Sequence, residues 1–399
     1  MKKVFIITEF VSMPGEKANG RFRYIADLLV RNNIEVELIT TNYSHRDKKH
    51  RIYEENPKCK YKFTMLDEPG YKKNVSLKRF YSHYIFSKNL KKYLREIQIK
   101  PDVIYCAVPT LSAAKVAAKY AKENNIKFII DIQDLWPEAF KMVFNIPIIS
   151  DIMFYPMKRM ADYIYSSADD IIAVSETYLK RATDINSIAK NKLSVYLGTN
   201  LHYFDECKNK NKVTYDDDYI RIVYIGTLGH SYNIKDVIDA INLLKENDIN
   251  NLKFVVMGDG PLKREFQEYA KKKGIDCEFK GMLNYDNMVG ILCSCDIAVN
   301  PISHNAAQSI INKVGDYAAA GLPVINTQEN EEYRNIVEKY EIGYNCINSD
   351  YKDMASKIEK IIENFEIKNK MGKNNRKLAE ERFDRNKTYK YIIKTIEEE

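Results

Sequence analysis

The sequence lacks any long apolar run. It starts "MKKVFIITEF", and Glu9 ends a short apolar stretch that follows two lysines. A secretory signal needs a longer apolar core and a small-residue cleavage site. No stretch approaches the roughly 18 apolar residues that a membrane-spanning helix requires. We therefore expect a cytoplasmic protein that can contact a membrane only at its surface, on the inner face.

Cysteine is present, but not in a pattern that builds disulfides or a zinc site. The seven cysteines are an odd number and are scattered along the chain. Cys293 and Cys295 are one residue apart, which is closer than the usual spacing of zinc ligands. We expect reduced thiols in a reducing compartment and no bound metal.

A dinucleotide-binding fingerprint is also missing. Such a motif places G-x-G-x-x-G directly after the first strand of a domain. After Thr8 the chain reads "EFVSMPGEKANGRF", and after Ile225 it reads "GTLGHSYN", so neither segment has the three spaced glycines. An NAD-dependent oxidoreductase is therefore not favoured.

The basic excess is confined to one segment. The whole chain has 62 basic and 55 acidic residues, so its net charge is +7, whereas residues 45–100 hold 16 basic and 6 acidic residues, a net +10. Aromatic residues are interleaved with the charges in "YKKNVSLKRFYSHYIF". Basic and aromatic residues together suit single-stranded nucleic acid or an anionic membrane surface. We favour the membrane surface, and a solvated helix face remains the ordinary alternative.

The chain predicts an α/β protein of two domains. Apolar strands alternate with amphipathic helices from "VFIIT" to "DIIAVS", and the alternation restarts at "IRIVYIG". Such repeats are typical of parallel sheets covered on both faces. We predict doubly wound Rossmann-like domains at 1–204 and 220–365, facing across a cleft. The polar stretch 205–219 would be the linker, and helices within 366–399 could cross back to the first domain.

Two glycine-bearing turns follow strands of the second domain. "GTLG" covers residues 226–229 and "GDGP" covers residues 258–261. Glycine lets a backbone approach a phosphate closely, and the helix that follows offers unpaired N–H groups. Each turn alone is a weak signal, because strand-to-helix turns often need glycine for their geometry.

The segment "SIINKVGDYAAAGLPVIN" predicts a short helix that ends at Gly321, before a strand. Asn312, Lys313 and Asp316 fall one turn apart on it. The helix start and Lys313 could bind a diphosphate, while Asp316 could accept hydrogen bonds from a ribose diol. Spacing alone leaves an ordinary Lys313–Asp316 surface pair equally open.

Motifs along nearly the whole chain resemble the family 4 retaining glycosyltransferases of the GT-B fold. "NKVGDYAAAGLPVI" resembles their signature helix, and "VMGDGPLKREF" resembles their loop beside the nucleotide. "GEKANGRFRYIADLL" is similar to the glycine-bearing first loop that faces the donor phosphates. "DIQDLWPE" resembles a motif of bacterial surface-polysaccharide transferases, especially those with lipid-linked acceptors. "VSETYLKRA" and "YLGTNLHYF" match the end of the family's first domain.

The resemblance implies a site. Asp316 would hold the nucleotide ribose, Lys313 the diphosphate, and Asp134 would orient the sugar or acceptor, unless Asp134 only caps its turn. Gln308 stands where the general family has an acid, and "GTLGHSYNIKD" replaces a segment that often carries Arg and Lys. The implied donor-binding residues are Gly20, Gly226, Thr227, Gly229, His230, Gly258, Gly260, Lys263, Gln308, Ser309, Asn312 and Asp316.

The implied activity is transfer of a sugar from a nucleotide-sugar, expected to be a UDP-sugar, to a lipid-linked saccharide in capsule or O-antigen type biosynthesis. The resemblance implies no metal and no cofactor. We expect a membrane-peripheral enzyme that binds no nucleic acid. The alternatives are a GT-B nucleotide-sugar 2-epimerase and a non-catalytic nucleotide-sugar-binding protein.

Overall fold

The computed structural model describes residues 1–13, 20–51, 59–74, 76–141, 149–304, 306 and 310–398. Gln308 and Ser309, two of the predicted donor-binding residues, lie outside the described residues. The chain divides into two units, of which the first comprises Met1–Val195 with Tyr389–Glu399 and the second comprises Tyr196–Thr388. Both units are α/β, as predicted.

The first unit contains a parallel sheet of seven strands in the order β5-β2-β1-β6-β7-β8-β9. Two short strands, β3 and β4, form a separate antiparallel pair. The elements are β1 Lys3–Ile7, α1 Arg21–Arg31, β2 Glu35–Thr41, β3 Tyr43–Ser44, β4 Lys49–His50, β5 Lys62–Leu66, α2 Leu77–Glu96, β6 Val103–Val108, α3 Leu111–Asn124, β7 Lys127–Ile132, α4 Glu138–Lys141, α5 Ile149–Ser166, β8 Asp170–Ala173, α6 Glu176–Thr183 and β9 Lys192–Ser194.

The second unit contains a parallel sheet of six strands in the order β12-β11-β10-β13-β14-β15. Its elements are α7 Leu201–Lys210, β10 Ile220–Ile225, α8 Ile234–Glu246, β11 Leu252–Met257, α9 Lys263–Lys273, β12 Cys277–Gly281, α10 Tyr285–Leu292, β13 Ile297–Asn300, α11 Asn312–Ala320, β14 Val324–Asn326, α12 Glu331–Lys339, β15 Gly343–Asn345, α13 Tyr351–Glu363 and α14 Phe365–Leu378, followed by a π-helical turn Ala379–Phe383 and by α15 Arg385–Glu397.

The central strands form because their residues are apolar on both faces. In β10, Val223 and Ile225 face one core cluster while Ile222 and Tyr224 face the other. Helices then cover each face of the sheet, which is the arrangement expected of buried parallel strands. The sheet therefore forms a rigid platform whose loops carry the candidate site.

The segment predicted as linker is partly helical. The predicted linker, 205–219, overlaps α7, and Phe204 and Cys207 of that helix are buried in the core of the second unit. The exposed face of α7 is charged, with Lys208 and Lys210 in the last turn. Because of these charges, the sequence pattern did not indicate the apolar face of the helix. The unit boundary lies earlier, between Val195 and Tyr196.

The last helix, α15, extends from one unit into the other. Its residues from Tyr389 onward belong to the first unit. There Tyr389, Ile392 and Ile396 are buried in the same core as Val4 and Ile6 of β1. The C-terminal residues are thus part of the hydrophobic core of the first unit.

In each sheet the strand order reverses at one point, between β1 and β6 in the first and between β10 and β13 in the second. Open α/β sheets bind ligands beyond the carboxyl ends of the strands at such a switch point. In the second unit this point is where the predicted glycine turn 226–229 begins.

Candidate functional site

The two glycine turns of the second unit pack directly against each other. Gly226 follows β10 with φ 136°, and Gly258 follows β11 with φ 148°. A Cβ atom at Gly258 would lie 1.8 Å from the carbonyl oxygen of Gly226. The Leu228 N–H donates to the Asp259 carbonyl at 2.9 Å, which ties the turns together. Glycine is required at Gly258 both by the backbone angle and by this contact.

Replacing Gly258 by alanine is expected to destabilise the second unit by at least about 3 kcal/mol, because a strained backbone adds to a main-chain clash. Urea unfolding measures the change. Gly274→Ala is the matched control, since Gly274 has φ 63° but no atom within 4 Å of the added carbon. That control is expected to cost about 1–2 kcal/mol. Equal losses in both variants would contradict the role given to the clash.

Helix α11 begins beside these turns. It starts at Asn312 after Ile311, whose side chain makes no capping hydrogen bond, and it ends at Gly321 in the left-handed conformation. Asn312 is exposed, whereas Lys313 is buried. An uncapped helix start presents N–H groups that favour an anion. The predicted helix is confirmed, and its first turn carries two of the predicted residues.

Lys313 carries a buried amine. Its exposed fraction is 7%, and its Nζ has no hydrogen-bond partner among the described residues. The Nζ lies 4.0 Å from the ring centroid of Tyr224 and 3.9 Å from that of Tyr232. A Cβ atom at Gly226 would be 2.9 Å from it, so the amine points at the first glycine turn. Burial lowers the pKa of Lys313 well below its ordinary value.

The simple surface pair between Lys313 and Asp316 is not formed. Cation–π contacts to two tyrosines offset only part of the cost of burying an amine without a hydrogen-bond acceptor. Such a group is costly for the fold unless something binds to it. The position of Lys313 therefore favours an anionic ligand at the glycine turns.

Asp316 accepts two hydrogen bonds on one carboxylate oxygen. Its Oδ1 lies 2.9 Å from Thr199 Oγ1 and 2.9 Å from Tyr285 Oη, both of which donate. The carboxylate is partly buried. Burial raises the pKa of Asp316, although the two hydroxyl donors act in the opposite direction. The hydroxyls fix the carboxylate in one orientation one turn beyond Lys313.

The remaining predicted donor-binding residues differ in their surroundings. Lys263 forms an ion pair with Asp259 at 3.1 Å, so part of its charge is already compensated. His230 is exposed, and its carbonyl accepts a hydrogen bond from Ser303 Oγ at 2.9 Å. Thr227 is exposed and its carbonyl accepts from Tyr224 Oη at 2.7 Å.

Gly229 and Gly260 serve the turns themselves. The Gly229 carbonyl accepts from the Tyr232 N–H at 3.1 Å. A Cβ atom at Gly260 would lie 2.3 Å from the Leu228 carbonyl oxygen. Gly260 therefore permits the close approach of the two turns, whereas Gly229 closes a turn within its own loop.

Two predicted residues belong to the first unit. Gly20 immediately precedes α1. Asp134 accepts from the Leu135 N–H at 2.9 Å and from Trp136 Nε1 and Tyr178 Oη at 3.3 Å each. Burial raises the pKa of Asp134. Those contacts fit the turn-capping role of Asp134, which was one of the two alternatives from the sequence. The other alternative, orientation of the sugar or acceptor, stays a prediction.

Sequence reasoning missed the side chains that position the key residues. Thr199 and Tyr285 orient Asp316, while Tyr224 and Tyr232 surround Lys313. Thr199 lies in "YLGTNLHYF", which carried part of the family resemblance. No local pattern marks the three tyrosines, because they meet α11 only in the folded chain.

A second charged group lies at the switch point of the first sheet. Glu9 follows β1 and accepts a hydrogen bond from Thr110, which follows β6. His83 Nε2 lies 3.4 Å from Glu9 Oε1 and accepts from Arg79 Nε at 3.3 Å. Burial, and then the neighbouring Glu68, raise the pKa of Glu9, while burial lowers the pKa of His83 to about 3. No sequence motif pointed to this group.

Two kinds of feature are absent from the described part of the chain. Within it, no helix is both long and apolar enough to cross a bilayer. No group of three or more His, Cys, Asp or Glu residues within the same ranges has the arrangement of a metal site.

Comparisons with known proteins match both units. Residues 20–196 match the family model described as Glycosyltransferase Family 4, and residues 205–378 match the model described as Glycosyl transferases group 1. EpsD of Bacillus subtilis (strain 168), a protein named as a glycosyltransferase, is 24% identical over 302 residues, which are 73% of this chain and 75% of EpsD.

Two other similar proteins carry more specific names. An alpha-1,4-N-acetyl-D-galactosaminyltransferase of Campylobacter jejuni, whose name specifies a saccharide on PP-undecaprenol, is 30% identical over 97 residues, covering 22% of this chain and 27% of the relative. The crystal structure of Anabaena HepE in complex with UDP matches 99% of each chain with a TM-score of 0.68 at 16% identity. The TM-score shows a shared fold, and at 16% identity the comparison is limited to the fold.

Proposed function

Because the chain belongs to the family 4 glycosyltransferases of the GT-B fold, we propose that it transfers a hexosyl or N-acetylhexosaminyl group, with retention, from a UDP-sugar to a lipid-linked saccharide. The product would be a precursor of a bacterial surface polysaccharide such as capsule or lipopolysaccharide. The observation that carries the proposal is the buried amine of Lys313, which points at the glycine turns and has no acceptor among the described residues.

The donor is proposed to bind at the carboxyl edge of the second sheet. The diphosphate would meet the start of α11, the two glycine turns and Lys313, which together supply N–H groups and a charge. The ribose hydroxyls would donate to Asp316 on the next turn. UDP is favoured because it is the nucleotide bound to Anabaena HepE.

The reaction is proposed to need no metal. The bond between the anomeric carbon and the phosphate oxygen breaks, and negative charge develops on the leaving diphosphate. Lys313 and the first-turn N–H groups of α11 are fixed where that charge forms, so they stabilise the transition state more than the ground state. The acceptor hydroxyl forms the new bond on the same face and passes its proton to the leaving phosphate.

The acceptor is proposed to bind at the first unit. Asp134 and the charged group around Glu9 and Arg79 lie beyond the carboxyl ends of that sheet. A lipid-linked acceptor is favoured because the Campylobacter relative is named for one. Basic residues within 45–100 would hold the enzyme at an anionic inner membrane face, since exposed lysines attract anionic lipid.

A donor screen tests the proposal. Thermal unfolding is followed with UDP- and GDP-sugars, since a ligand at 100 times its dissociation constant stabilises by about 2.7 kcal/mol. The stabilising donor is then incubated with an undecaprenyl-diphosphate-linked saccharide, and the anomeric configuration of the product is read by NMR. We expect transfer with retention. Binding without turnover on any acceptor would instead indicate a silent nucleotide-sugar-binding protein.

A further inference from the structure

A cavity lies among three helices of the first unit. Helices α2 and α5 both pack against α3. The cavity between them has a volume of about 270 Å³. Ten of the described residues line it, all from these three helices. These residues come from helical faces and not from the strand ends of the second unit, so the cavity is separate from the candidate donor region. At one end of the cavity, Ser112 Oγ donates to the His83 carbonyl at 3.2 Å, beside the charged group of the first unit.

The rim of this cavity is strongly basic. Lys91 and Arg95 lie on α2, and Lys115 and Lys119 lie on α3. No carboxylate of the described residues lies within 4.0 Å of any of these four cationic groups. Among the described residues that line the cavity, Glu123 is the one acid. Four cations around a small space repel one another, so binding of an anion there lowers the free energy.

The floor of the cavity is apolar. Leu94 has an exposed fraction of only 2%, and Val116, Met160 and the ring of Tyr120 complete the floor. A free inorganic anion would leave this floor without a partner. A ligand with a phosphate beside hydrocarbon would satisfy both the rim and the floor.

Apolar surface extends from the cavity along α2. Leu77, Tyr81 and Tyr84 have exposed fractions of 87%, 58% and 59%. They lie at helical spacing with Lys88, Lys91 and Arg95, so one stripe of α2 is apolar in its first half and basic in its second. Long exposed aromatic side chains beside cations are typical of surfaces that meet the membrane interface.

Helix α5 provides a second apolar stripe. Met153, Met157 and Met160 lie four and three residues apart, so they share one face that leads into the cavity. On this face Met153 has an exposed fraction of 53%, and Met157 and Met160 are half-buried. The cavity therefore opens beside two apolar stripes, of which the one on α2 is the more exposed.

We propose that this cavity, the α2–α3–α5 pocket, binds the headgroup of an anionic phospholipid whose acyl chains lie along the two apolar stripes. The pocket would fix the first unit at the bilayer in one orientation, which diffuse attraction of residues 45–100 alone would not do. The inference rests on the proposed membrane association, but it is independent of the donor and the acceptor. Two of the four cations, Lys115 and Lys119, lie outside residues 45–100.

Vesicle binding by charge variants tests the pocket. Phosphatidylcholine vesicles with and without phosphatidylglycerol are sedimented with the wild type at low salt, and binding is expected only with phosphatidylglycerol. Lys115→Gln with Lys119→Gln is expected to weaken that binding about thirty-fold, because each cation near an anionic surface contributes about 1 kcal/mol. Absence of wild-type binding to phosphatidylglycerol vesicles would overturn the proposal.

The control removes the same charge elsewhere. Lys271→Gln with Lys272→Gln alters two exposed lysines of α9 in the second unit, and its binding should stay close to wild type. An equal loss in both double variants would indicate diffuse attraction only and overturn the pocket. Both variants should keep wild-type affinity for UDP. If the wild type itself does not bind UDP, that result counts against the proposed transferase function and not against the pocket.

Soluble ligands separate the two sources of phosphate. Dihexanoyl-phosphatidylglycerol below its micelle concentration should raise the unfolding temperature, whereas dihexanoyl-phosphatidylcholine and inorganic phosphate should not. Met160→Gln should reduce the stabilisation by dihexanoyl-phosphatidylglycerol. If inorganic phosphate stabilises the wild type equally and Lys115→Gln with Lys119→Gln abolishes that effect, the pocket is a free-phosphate site and the lipid proposal is wrong.

Discussion

Replacing Asp316 by alanine is expected to reduce sugar transfer by a factor of about 10² to 10⁴. Two ribose hydroxyls would lose an ionised acceptor, and each such bond contributes about 1.5–3 kcal/mol. The affinity for UDP and the affinity for uridine should fall together, because both ligands carry the ribose. Steady-state transfer and calorimetric binding measure the two effects. Wild-type turnover by Asp316→Ala would show that the site has been assigned wrongly.

A structural role of Asp316 must be separated from a role in binding. The alanine variant leaves the hydroxyls of Thr199 and Tyr285 without their shared acceptor, which costs stability by about 1–3 kcal/mol for each buried group. The control is Thr199→Val with Tyr285→Phe, which removes both donors and keeps the carboxylate. It should retain transfer within about tenfold of wild type. A loss as large as that of Asp316→Ala would mean that the carboxylate acts only by holding these hydroxyls.

Replacing Lys313 by methionine is expected to lower the turnover number by about 10² to 10³, as when one donor to a developing oxyanion is removed. Affinity for UDP should fall while affinity for uridine stays, because uridine has no phosphate. This pattern differs from that expected for Asp316→Ala, in which the affinities for UDP and for uridine fall together. Equal weakening of UDP and uridine would place Lys313 away from the diphosphate.

The same Lys313 variant is expected to make the unliganded protein more stable. Methionine has a similar length and removes a buried amine that lacks a hydrogen-bond acceptor. The folded-state pKa of Lys313 lies below its unfolded value, so between the two the unfolded chain binds more protons and stability rises with pH. The free energy of unfolding is measured with urea from neutral pH to pH about 10.5. As the pH rises, the value for the wild type should increase relative to the value for the variant. The same pH dependence of the unfolding free energy in the wild type and in the variant would contradict the burial of the Lys313 amine.

Proton uptake offers an independent readout of Lys313. A diphosphate beside the amine favours its charged form, so UDP binding should raise the Lys313 pKa and take up protons. Calorimetry in buffers of different ionisation enthalpy measures that uptake. Lys313→Met should abolish it, whereas Asp316→Ala should leave the uptake associated with Lys313 in place.

The fold was largely predictable because parallel strands buried on both faces are continuous apolar runs. The strands β10 and β11 lie where "IRIVYIG" and "LKFVVMGDG" predicted them. The pair β3–β4 escaped prediction, since strands of only two residues leave no periodic pattern. Helix α7 escaped because its second half, "DECKNK", holds four charged residues and one apolar residue, although Phe204 and Cys207 share a buried face.

The site was predictable only in its local part. Lys313 and Asp316 could be recognised because they lie on one helix that also carries the family signature. Their partners could not, because Thr199 is 117 residues and Tyr285 is 31 residues away from Asp316 along the chain. The same holds for Tyr224 and Tyr232, whose rings meet Lys313 only after β10 and α11 have packed into one unit.

The close approach of Gly226 and Gly258 has a consequence for how the donor preference of such a protein can evolve. Main-chain atoms alone make that contact, so neither glycine can vary without strain. The neighbouring Thr227 and Asp259 are exposed and can change without disturbing it. A saturation library should therefore be intolerant at the glycines and permissive at their neighbours, and altered sugar preference should be sought among the permissive positions.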